Sequence, residues 1–478
     1  MAYSLLKSYL DAGEAKEIRR SLLVMALPAI GENVLQMLLG ISDTAFLGHY
    51  DWRVMTAVGT ANQVVFIFQA VLVAISTGSM VLISNSYGAR NQHRVNLIAW
   101  HAIYLSIVVG LILSVGSLFS GNLLSLLFPS SDAFMQMNGA KYLQTIMAGF
   151  PAMSIMVVLG AALRGAGDTR SPLIAAAIAN GLNVFLDYSM IFGKFGFPEM
   201  GAFGAALATV LSRVVGSVII TVLLFRNRGI SMTRRPQRLS RWMLREVFVL
   251  GLPASIENFG FSLGVLVFAN ILFIASPQAY AAHRIGIQVE SLSFMPAWGM
   301  GVAITALVGI YNGSRQRRLS IGVVRQGWFI ALTISSIIGI AITLFPDLFI
   351  SIFTNETSLI EEARLPVRII GLFQVVMGTD YAVTGALRGM GDTSFPMKSS
   401  LVAMWLIRLP LGYVLVRYFG MGLFGAWIGM MADMVLRTAL KFVRFYSGKW
   451  EIKADSIQAR SGQSSLLVFL CITISQRK

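Results

Sequence analysis

The sequence contains one pattern twice: ALRGAGDTRSP begins at Ala162, and ALRGMGDTSFP begins at Ala386. The copies are 224 positions apart, close to half of the 478-residue chain. Two shorter pairs agree within a few residues of that offset: LPAIGEN at Leu27 with LPASIEN at Leu252, and GAFGA at Gly201 with GLFGA at Gly422. The chain therefore consists of two related halves in tandem.

The composition is that of a membrane protein. Hydrophobic residues make up 56% of the chain and charged residues 13%, with a mean hydropathy of +0.71, whereas soluble domains carry roughly 25% charged residues. Apolar stretches of about 20 residues recur along the length, enough to cross a ~30 Å hydrocarbon core. The strand-like alternation of a membrane barrel is absent. The expected fold is an all-α polytopic membrane protein, and the single cysteine, Cys471, excludes an intrachain disulfide framework.

Twelve apolar segments are predicted to span the membrane, six in each half. They are placed at residues 22–47, 55–83, 97–120, 142–163, 172–192, 202–225, 250–274, 279–310, 327–345, 367–387, 397–416 and 422–442. The division is then a first lobe over 1–225, a basic linker over 226–249, a second lobe over 250–449, and a tail over 450–478 that is expected to be disordered. Because each half has an even number of spans, the two repeats have the same orientation.

The distribution of Lys and Arg predicts the orientation of the chain in a cell membrane. The Arg226–Arg245 segment holds seven arginines and no acid, while the loop from Pro346 to Pro366 carries four acids. By the positive-inside rule, the linker and both termini are cytoplasmic. The net charge of +16 is then explained by topology and by contact with anionic lipid headgroups, so no nucleic-acid partner is expected.

Two predicted spans carry a polar stripe along one helical face. The stripe on the first span consists of Glu32, Gln36 and Asp43, and the stripe on the fifth consists of Asn180, Asn183 and Asp187. An ionisable group within a span costs at least ~2.5 kcal/mol at its centre, so it usually faces a cavity or a partner. Two carboxylates close together titrate as a unit, as a proton-coupled exporter requires. The alternative is that both acids lie at headgroup level.

The second half lacks both acids of this pair. The repeat offset places Phe268 opposite Asp43, and Leu411 opposite Asp187. We therefore expect the cation-coupling site to belong to the first lobe alone.

The repeated ALRG-x-GDT pattern predicts a turn between two helices. Gly165 and Gly167 can end the fourth span, because glycine accepts the left-handed conformation at a helix C-terminus. Ser171 and Pro172 can begin the fifth span, as N-cap and first-turn proline. The alternative role is gating through charge contacts with the neighbouring half.

Pro28, within the first predicted span, has two interpretations. It can favour a bend that moves Asp43 relative to Asp187. Alternatively it is a helix-start proline, matched by Pro253 in the second half.

The motifs resemble the MATE family of multidrug and toxin extruders. The segments ISDTAFLGH at Ile41–His49 and NGLNVFLD at Asn180–Asp187 are similar to its DinF-like branch in particular. The resemblance implies twelve helices in two six-helix lobes around a V-shaped central cavity. It also implies a monomer that is not an enzyme, needs no cofactor or metal, and exports cationic amphipathic compounds by antiport with H⁺ or Na⁺. Asp43 and Asp187 would couple the cation, and Asn180, Asn183, Gln36 and Glu32 would line the substrate cavity.

Other functions fit the sequence less well. A flippase for a lipid-linked oligosaccharide should line its cavity with Arg and Lys to hold pyrophosphate, whereas the stripes here are acidic and amide-bearing. An ATP-driven enzyme is disfavoured because no GxxxxGK[ST] phosphate loop occurs. In the second lobe, Glu257, Asp380 and Asp433 are further intramembrane acids; the last two are expected to pair with cations such as Arg388 or Arg437.

Overall fold

The computed structural model describes residues 10–127, 132–227, 229–233, 235–354 and 356–459, and within these ranges it contains helices and no strands. Eleven of the helices are long and apolar enough to cross a membrane. A bent pair, Ala133–Ala148 and Phe150–Gly165, forms a twelfth as a broken span with a 53° bend. The predicted all-α, polytopic architecture is confirmed.

The helices are numbered here in chain order. The first eight are α1 (Ala12–Tyr50), α2 (Trp52–Gly88), α3 (Gln92–Val115), α4 (Ser120–Leu127), α5 (Ala133–Ala148), α6 (Phe150–Gly165), α7 (Arg170–Ile191) and α8 (Gly201–Arg226). The others are α9 (Arg241–Ala275), α10 (Pro277–Gly313), α11 (Arg317–Leu344), α12 (Pro346–Ser351), α13 (Thr357–Gly389), α14 (Ser394–Val402), α15 (Leu409–Arg417), α16 (Gly422–Tyr446) and α17 (451–459). A π-helical turn, Ala403–Arg408, joins α14 to α15.

The described chain divides into two compact units whose boundaries lie inside helices. The first unit is Gly31–Ser255, and the second combines Met1–Ile30 with Ile256–Lys478. These bounds differ from the lobes read from the sequence, because the start of α1 groups with the second half and the linker groups with the first. Both α1 and α9 change unit two residues after a proline, Pro28 and Pro253. The helix-start interpretation of Pro28 is wrong, because α1 begins at Ala12.

Glycines allow close helix packing within the first unit. A Cβ at Gly251 of α9 would overlap the carbonyl oxygen of Ala74 on α2. In the same way, a Cβ at Gly78 of α2 would overlap the carbonyl oxygen of Val247 on α9. The two helix backbones therefore touch at both positions. Larger residues would force α2 and α9 apart and expose the apolar core between them.

The repeated turn has the predicted left-handed glycine in both copies. Gly167 has φ +86° and Gly391 has φ +84°, a conformation that costs other residues roughly 1–2 kcal/mol. The helix start differs from the prediction, because Asp168 rather than Ser171 caps α7. Its carboxylate accepts bonds from the backbone N–H of Arg170 at 3.1 Å and of Ser171 at 3.0 Å.

The expected disorder of the tail is wrong for its first residues. Residues 451–459 form α17, and Trp450, Ala454 and Ile457 are buried. Arg317, at the start of α11, donates to Asp455 at 2.8 Å. The remainder of the predicted tail, 460–478, lies outside the described residues.

Candidate functional site

The structure places Asp43 of α1 and Asp187 of α7 side by side in the first unit. Their carboxyl groups lie within electrostatic range of each other. Two neighbouring carboxylates repel each other when both are ionised, so neutralising one of them with a proton or a cation is favourable. Asp187 is 1% exposed, and in the described part of the chain no cation lies within 4.0 Å of either group. The pair can therefore hold a shared proton or a cation.

Asn180 and Asn183 extend the site along α7. Steps of three and four residues place both on the helical face that carries Asp187. Asn180 is 5% exposed and Asn183 1%. Neither amide has a hydrogen-bond partner among the described residues, and the same holds for both oxygens of Asp187 and for Asp43 Oδ1. An unpaired buried polar group costs about 1–3 kcal/mol, so such a cluster indicates a site for an ion, water or ligand.

Neighbouring helices contribute residues that the sequence reading did not assign to the site. Tyr142 of α5 lies within electrostatic range of both carboxylates, and its hydroxyl donates to Asn62 Oδ1 at 3.2 Å. Arg213 of α8 lies within electrostatic range of Asp43, and among the described residues it donates to Met156 Sδ at 3.7 Å. Arg213 lies in the middle of a predicted span, where an arginine needs a partner or water. No sequence pattern identified Tyr142 as a site residue, because it resembles an ordinary interfacial tyrosine.

Aromatic residues hold α1 against α7 one turn beyond the carboxylates. Phe46 packs on Tyr188 at 6.0 Å between ring centroids and on Phe192 at 6.2 Å. Tyr50 contacts Phe192 at 6.2 Å. Each such pair contributes about 0.5–1.5 kcal/mol beyond its buried area. The contacts fix the register of the two helices and therefore the approach of Asp43 to Asp187.

The other two residues predicted on α1 have different surroundings. Glu32 accepts two bonds from Arg164 Nη1, at 3.0 and 2.9 Å, so it is tied to the arginine of the repeated motif. Gln36 is exposed. The structure thus brings Asp43 to the α7 face, keeps Gln36 open, and gives Glu32 an ion-pair partner.

The second unit repeats the Glu–Arg pair. Arg388 of the second motif copy donates to Glu257 at 2.8 Å, and Ser400 donates to the other oxygen of Glu257 at 2.8 Å. The position of Glu257 corresponds to that of Glu32, as the sequence offset predicts. The pair joins the start of each half to its own ALRG turn. The partner of each arginine therefore lies in its own half, whereas the gating alternative expected charge contacts with the neighbouring half.

Asp380 and Asp433 of the second unit have cation partners, unlike Asp43 and Asp187. Lys441 donates to Asp380 at 2.8 Å. Asp433 lies 3.8 Å from Arg408 and 4.0 Å from Arg437, which is also 3.7 Å from Asp380. Asp380 and Asp433 were expected to pair with Arg388 or Arg437. Arg437 is a partner of both, whereas Arg388 is taken by Glu257.

The repeat partners of the coupling acids are apolar and packed. Phe268 is fully buried, with the guanidinium of Arg408 4.4 Å from its ring centre. Leu411 is half-buried. Separately, an apolar cavity of about 610 Å³ lies between α13 and α16, lined by residues such as Phe373, Phe424 and Met431. It contains none of the predicted site residues.

The sequence matches known membrane transporters over nearly its whole length. The MatE family matches residues 28–189 and 253–414, one copy in each half. A probable multidrug resistance protein NorM from Thermotoga maritima is 50% identical over 455 residues, covering 95% of this chain and 98% of that protein. The uncharacterised transporter YisQ of Bacillus subtilis is 27% identical over 434 residues, or 90% of this chain and 94% of its own.

Solved structures share the fold. An outward-facing multidrug resistance MATE family transporter of the MOP superfamily superimposes with a TM-score of 0.84 at 22% identity, covering 92% of this chain and 97% of its own. The eukaryotic MATE transporter AtDTX14 superimposes with a TM-score of 0.82 at 18% identity, and the match covers 94% of this chain and 100% of that protein. With a family match in both halves and a half-identical relative of the same length, the chain belongs to the MatE family of membrane transporters.

Proposed function

We propose that the protein is a secondary active multidrug exporter that moves cationic amphipathic compounds by antiport with H⁺ or Na⁺. The observation that carries the proposal is the Asp43–Asp187 pair, in which Asp187 is buried and Asp43 half-buried, and which has no ion-pair partner in the described structure. Its family relatives include proteins named for multidrug resistance. Family membership also favours drug export over the oligosaccharide flippase.

The chemistry of the pair supports exchange between two cations. A proton, a sodium ion or the positive group of a substrate each neutralises the same carboxylates, so their occupancy is mutually exclusive. Binding one species then favours release of the other. The antiport step requires no covalent chemistry from the protein.

The surrounding residues have distinct proposed roles. Asn180 and Asn183 present amide oxygens and N–H groups that can bind either a coupling ion or a substrate. Gln36, exposed on the α1 stripe, contacts the substrate, and Glu32 adds negative potential while holding Arg164. Arg213 partly offsets the charge of the carboxylates and so limits how tightly a cation binds. The DinF-like assignment rests on the two segments that contain Asp43 and Asp187.

The coupling ion is determined by transport under separate gradients. The purified protein is reconstituted into proteoliposomes, and export of ethidium, a cationic dye, is followed under a proton gradient alone and under a sodium gradient alone. Our proposal requires transport under at least one of them. Absence of transport under both would contradict cation-coupled export.

Asp187→Asn is expected to flatten the pH dependence of substrate binding. In the wild type, protonation of the pair removes negative charge, so affinity for a cationic dye should fall as pH is lowered, by about tenfold or more. Asparagine cannot ionise, so the variant should bind weakly and vary little with pH. Dye binding to the purified protein, followed by fluorescence anisotropy across pH, measures this.

The repeat partner provides the matched control for this experiment. Leu411→Ala should leave the pH profile unchanged, because its position in the second unit carries no acid. An unchanged profile in Asp187→Asn would refute coupling through this pair and direct attention to Glu257 and Asp380.

We also propose that the chain lies in the cell membrane with both termini cytoplasmic. In a background with Cys471→Ser, a cysteine at Ser358 should react with an impermeant maleimide added to intact cells. A cysteine at Gln316, immediately before α11, should react only after permeabilisation. Both positions are exposed, so the inverse pattern of labelling would reverse the topology.

A further inference from the structure

The basic segment between α8 and α9 is attached to the first three turns of α3. Five side chains of α3 hold it: Gln92, Asn96, Trp100, His101 and Tyr104. They lie between positions 92 and 104, a rise of ~18 Å along the helix. All five bond main-chain atoms of the segment. Its backbone is therefore fixed while its side chains remain available.

The partners of Gln92, Asn96, Trp100 and Tyr104 lie successively further along the segment, whereas His101 bonds Ser240 at its end. Asn96 Nδ2 donates to the carbonyl of Ser231 at 2.9 Å, and its Oδ1 accepts from the backbone N–H of Thr233 at 2.7 Å. Tyr104 donates to the carbonyl of Gln237 at 2.8 Å. Asn96 thus pairs with the segment much as a neighbouring strand would.

Both ends of the segment are also fixed. At its start, Asn227 donates to Asp168 of the repeated turn at 2.7 Å. At its end, the backbone N–H of Ser240 donates to His101 Nε2 at 2.8 Å. Two apolar residues in between, Ile230 and Met232, are buried. The segment is an ordered part of the first unit, although its sequence reads as a linker.

Four arginines at the end of this segment and in the first turns of α9 are exposed. They are Arg235, Arg238, Arg241 and Arg245. Within the described ranges, none has a carboxylate within 4.0 Å. The acid next in sequence, Glu246, is buried and accepts two bonds from Arg94, at 2.8 and 2.9 Å. Four positive charges are therefore presented on a fixed backbone without local compensation.

Apolar side chains are interleaved with these arginines. Leu239 is 62% exposed and Trp242 is 50% exposed. The segment also joins the ends of two membrane-crossing helices, α8 and α9. Arginine beside exposed tryptophan and leucine is the composition of a membrane–water interface. A soluble polyanion would leave the apolar groups without a partner.

We propose that this segment and the first turns of α9 form a preorganised binding surface for the headgroups of anionic phospholipids. Arg235, Arg238, Arg241 and Arg245 bind the phosphates, while Leu239 and Trp242 enter the acyl–headgroup boundary. Each arginine is expected to contribute about fivefold in affinity, from roughly 1 kcal/mol per basic residue near an anionic surface. Because α3 holds the backbone in place, less ordering is required on binding than for a free basic loop.

The test is lipid binding by the full-length protein in neutral detergent. Dioctanoyl phosphatidylglycerol and dioctanoyl phosphatidylcholine are titrated separately and followed by thermophoresis. The wild type should prefer phosphatidylglycerol by at least tenfold. Replacing the four arginines with glutamine should abolish that preference. Since all four are exposed, unchanged thermal unfolding will show that the variant is folded.

Two further variants separate a built surface from general positive charge. Glutamine at four exposed arginines elsewhere should leave the preference within twofold; the set is Arg19, Arg20, Arg315 and Arg368. Asn96→Ala combined with Tyr104→Phe keeps every arginine but releases the segment, so the affinity for phosphatidylglycerol should fall severalfold.

Several results would overturn the proposal. These are an unchanged preference in the four-arginine variant, an equal loss in the control set, or full affinity after release of the segment. Inorganic phosphate or duplex DNA that displaces phosphatidylglycerol at comparable concentration would assign the surface to soluble anions instead.

Discussion

Asp43→Asn is expected to reduce gradient-driven export to background while the protein remains folded and inserted. Asparagine has nearly the same shape as aspartate, so the packing of α1 on α7 through Phe46 and Phe192 should persist. It cannot bind a proton or attract a cation through charge, so exchange at the Asp187 pair stops. Ethidium export from proteoliposomes under the coupling gradient measures the loss.

The control is an acid on the same unit with a structural role. Asp51 caps α2 by accepting from the backbone N–H of Arg53 at 2.8 Å, and asparagine serves equally well at an N-cap. Asp51→Asn should therefore transport normally. Full activity in well-expressed Asp43→Asn would remove Asp43 from the coupling mechanism.

Arg94→Ala is expected to lower the free energy of unfolding by about 3–5 kcal/mol, the cost of leaving a buried charge without its partner. The Arg94 side chain is fully buried, and that of its partner Glu246 is 2% exposed. The pair joins α3 to the start of α9, so its loss should also loosen the basic segment. Chemical denaturation in detergent, followed by tryptophan fluorescence, measures the change.

Two variants show whether the loss comes from the unpaired charge. Arg94→Met with Glu246→Leu removes both charges and should recover most of the stability. Arg364→Ala breaks an exposed pair with Asp347, 2.6 Å apart, and should cost less than 1 kcal/mol. If Arg94→Ala costs no more than Arg364→Ala, the buried pair does not stabilise the unit.

Much of the fold could be predicted because it depends on local composition. Apolar length marks the spans, and glycine at Gly167 and Gly391 marks the turns, since both are properties of a short stretch of chain. The broken fourth span was read as one helix over 142–163, because the sequence around Gly149 remains apolar through the bend. The unit boundaries inside α1 and α9 depend on long-range packing, which no local pattern records.

The site was predictable in part for the same reason. The faces of α1 and α7 follow from helical periodicity, so Asp43, Asn183 and Asp187 could be identified from spacing. The acids that form ion pairs could not be identified in this way, because a partner such as Arg164 for Glu32 is distant in sequence. The same limit applies to Asn96 and Tyr104. Their role in holding the basic segment depends on a contact between residues more than 130 positions apart.

The position of the unit boundaries has a consequence for which length changes the chain can tolerate. The segment that reads as a linker belongs wholly to the first unit, and the chain passes between units within α1 and α9, just after Pro28 and Pro253. An inserted residue in a helix rotates all that follows by about 100° and advances it by ~1.5 Å. Asp43 and Phe268 each lie fifteen residues beyond their proline. Insertions and deletions should therefore be excluded between Pro28 and Asp43 and between Pro253 and Phe268. These two stretches set the helical phase of the coupling acid and of its apolar counterpart.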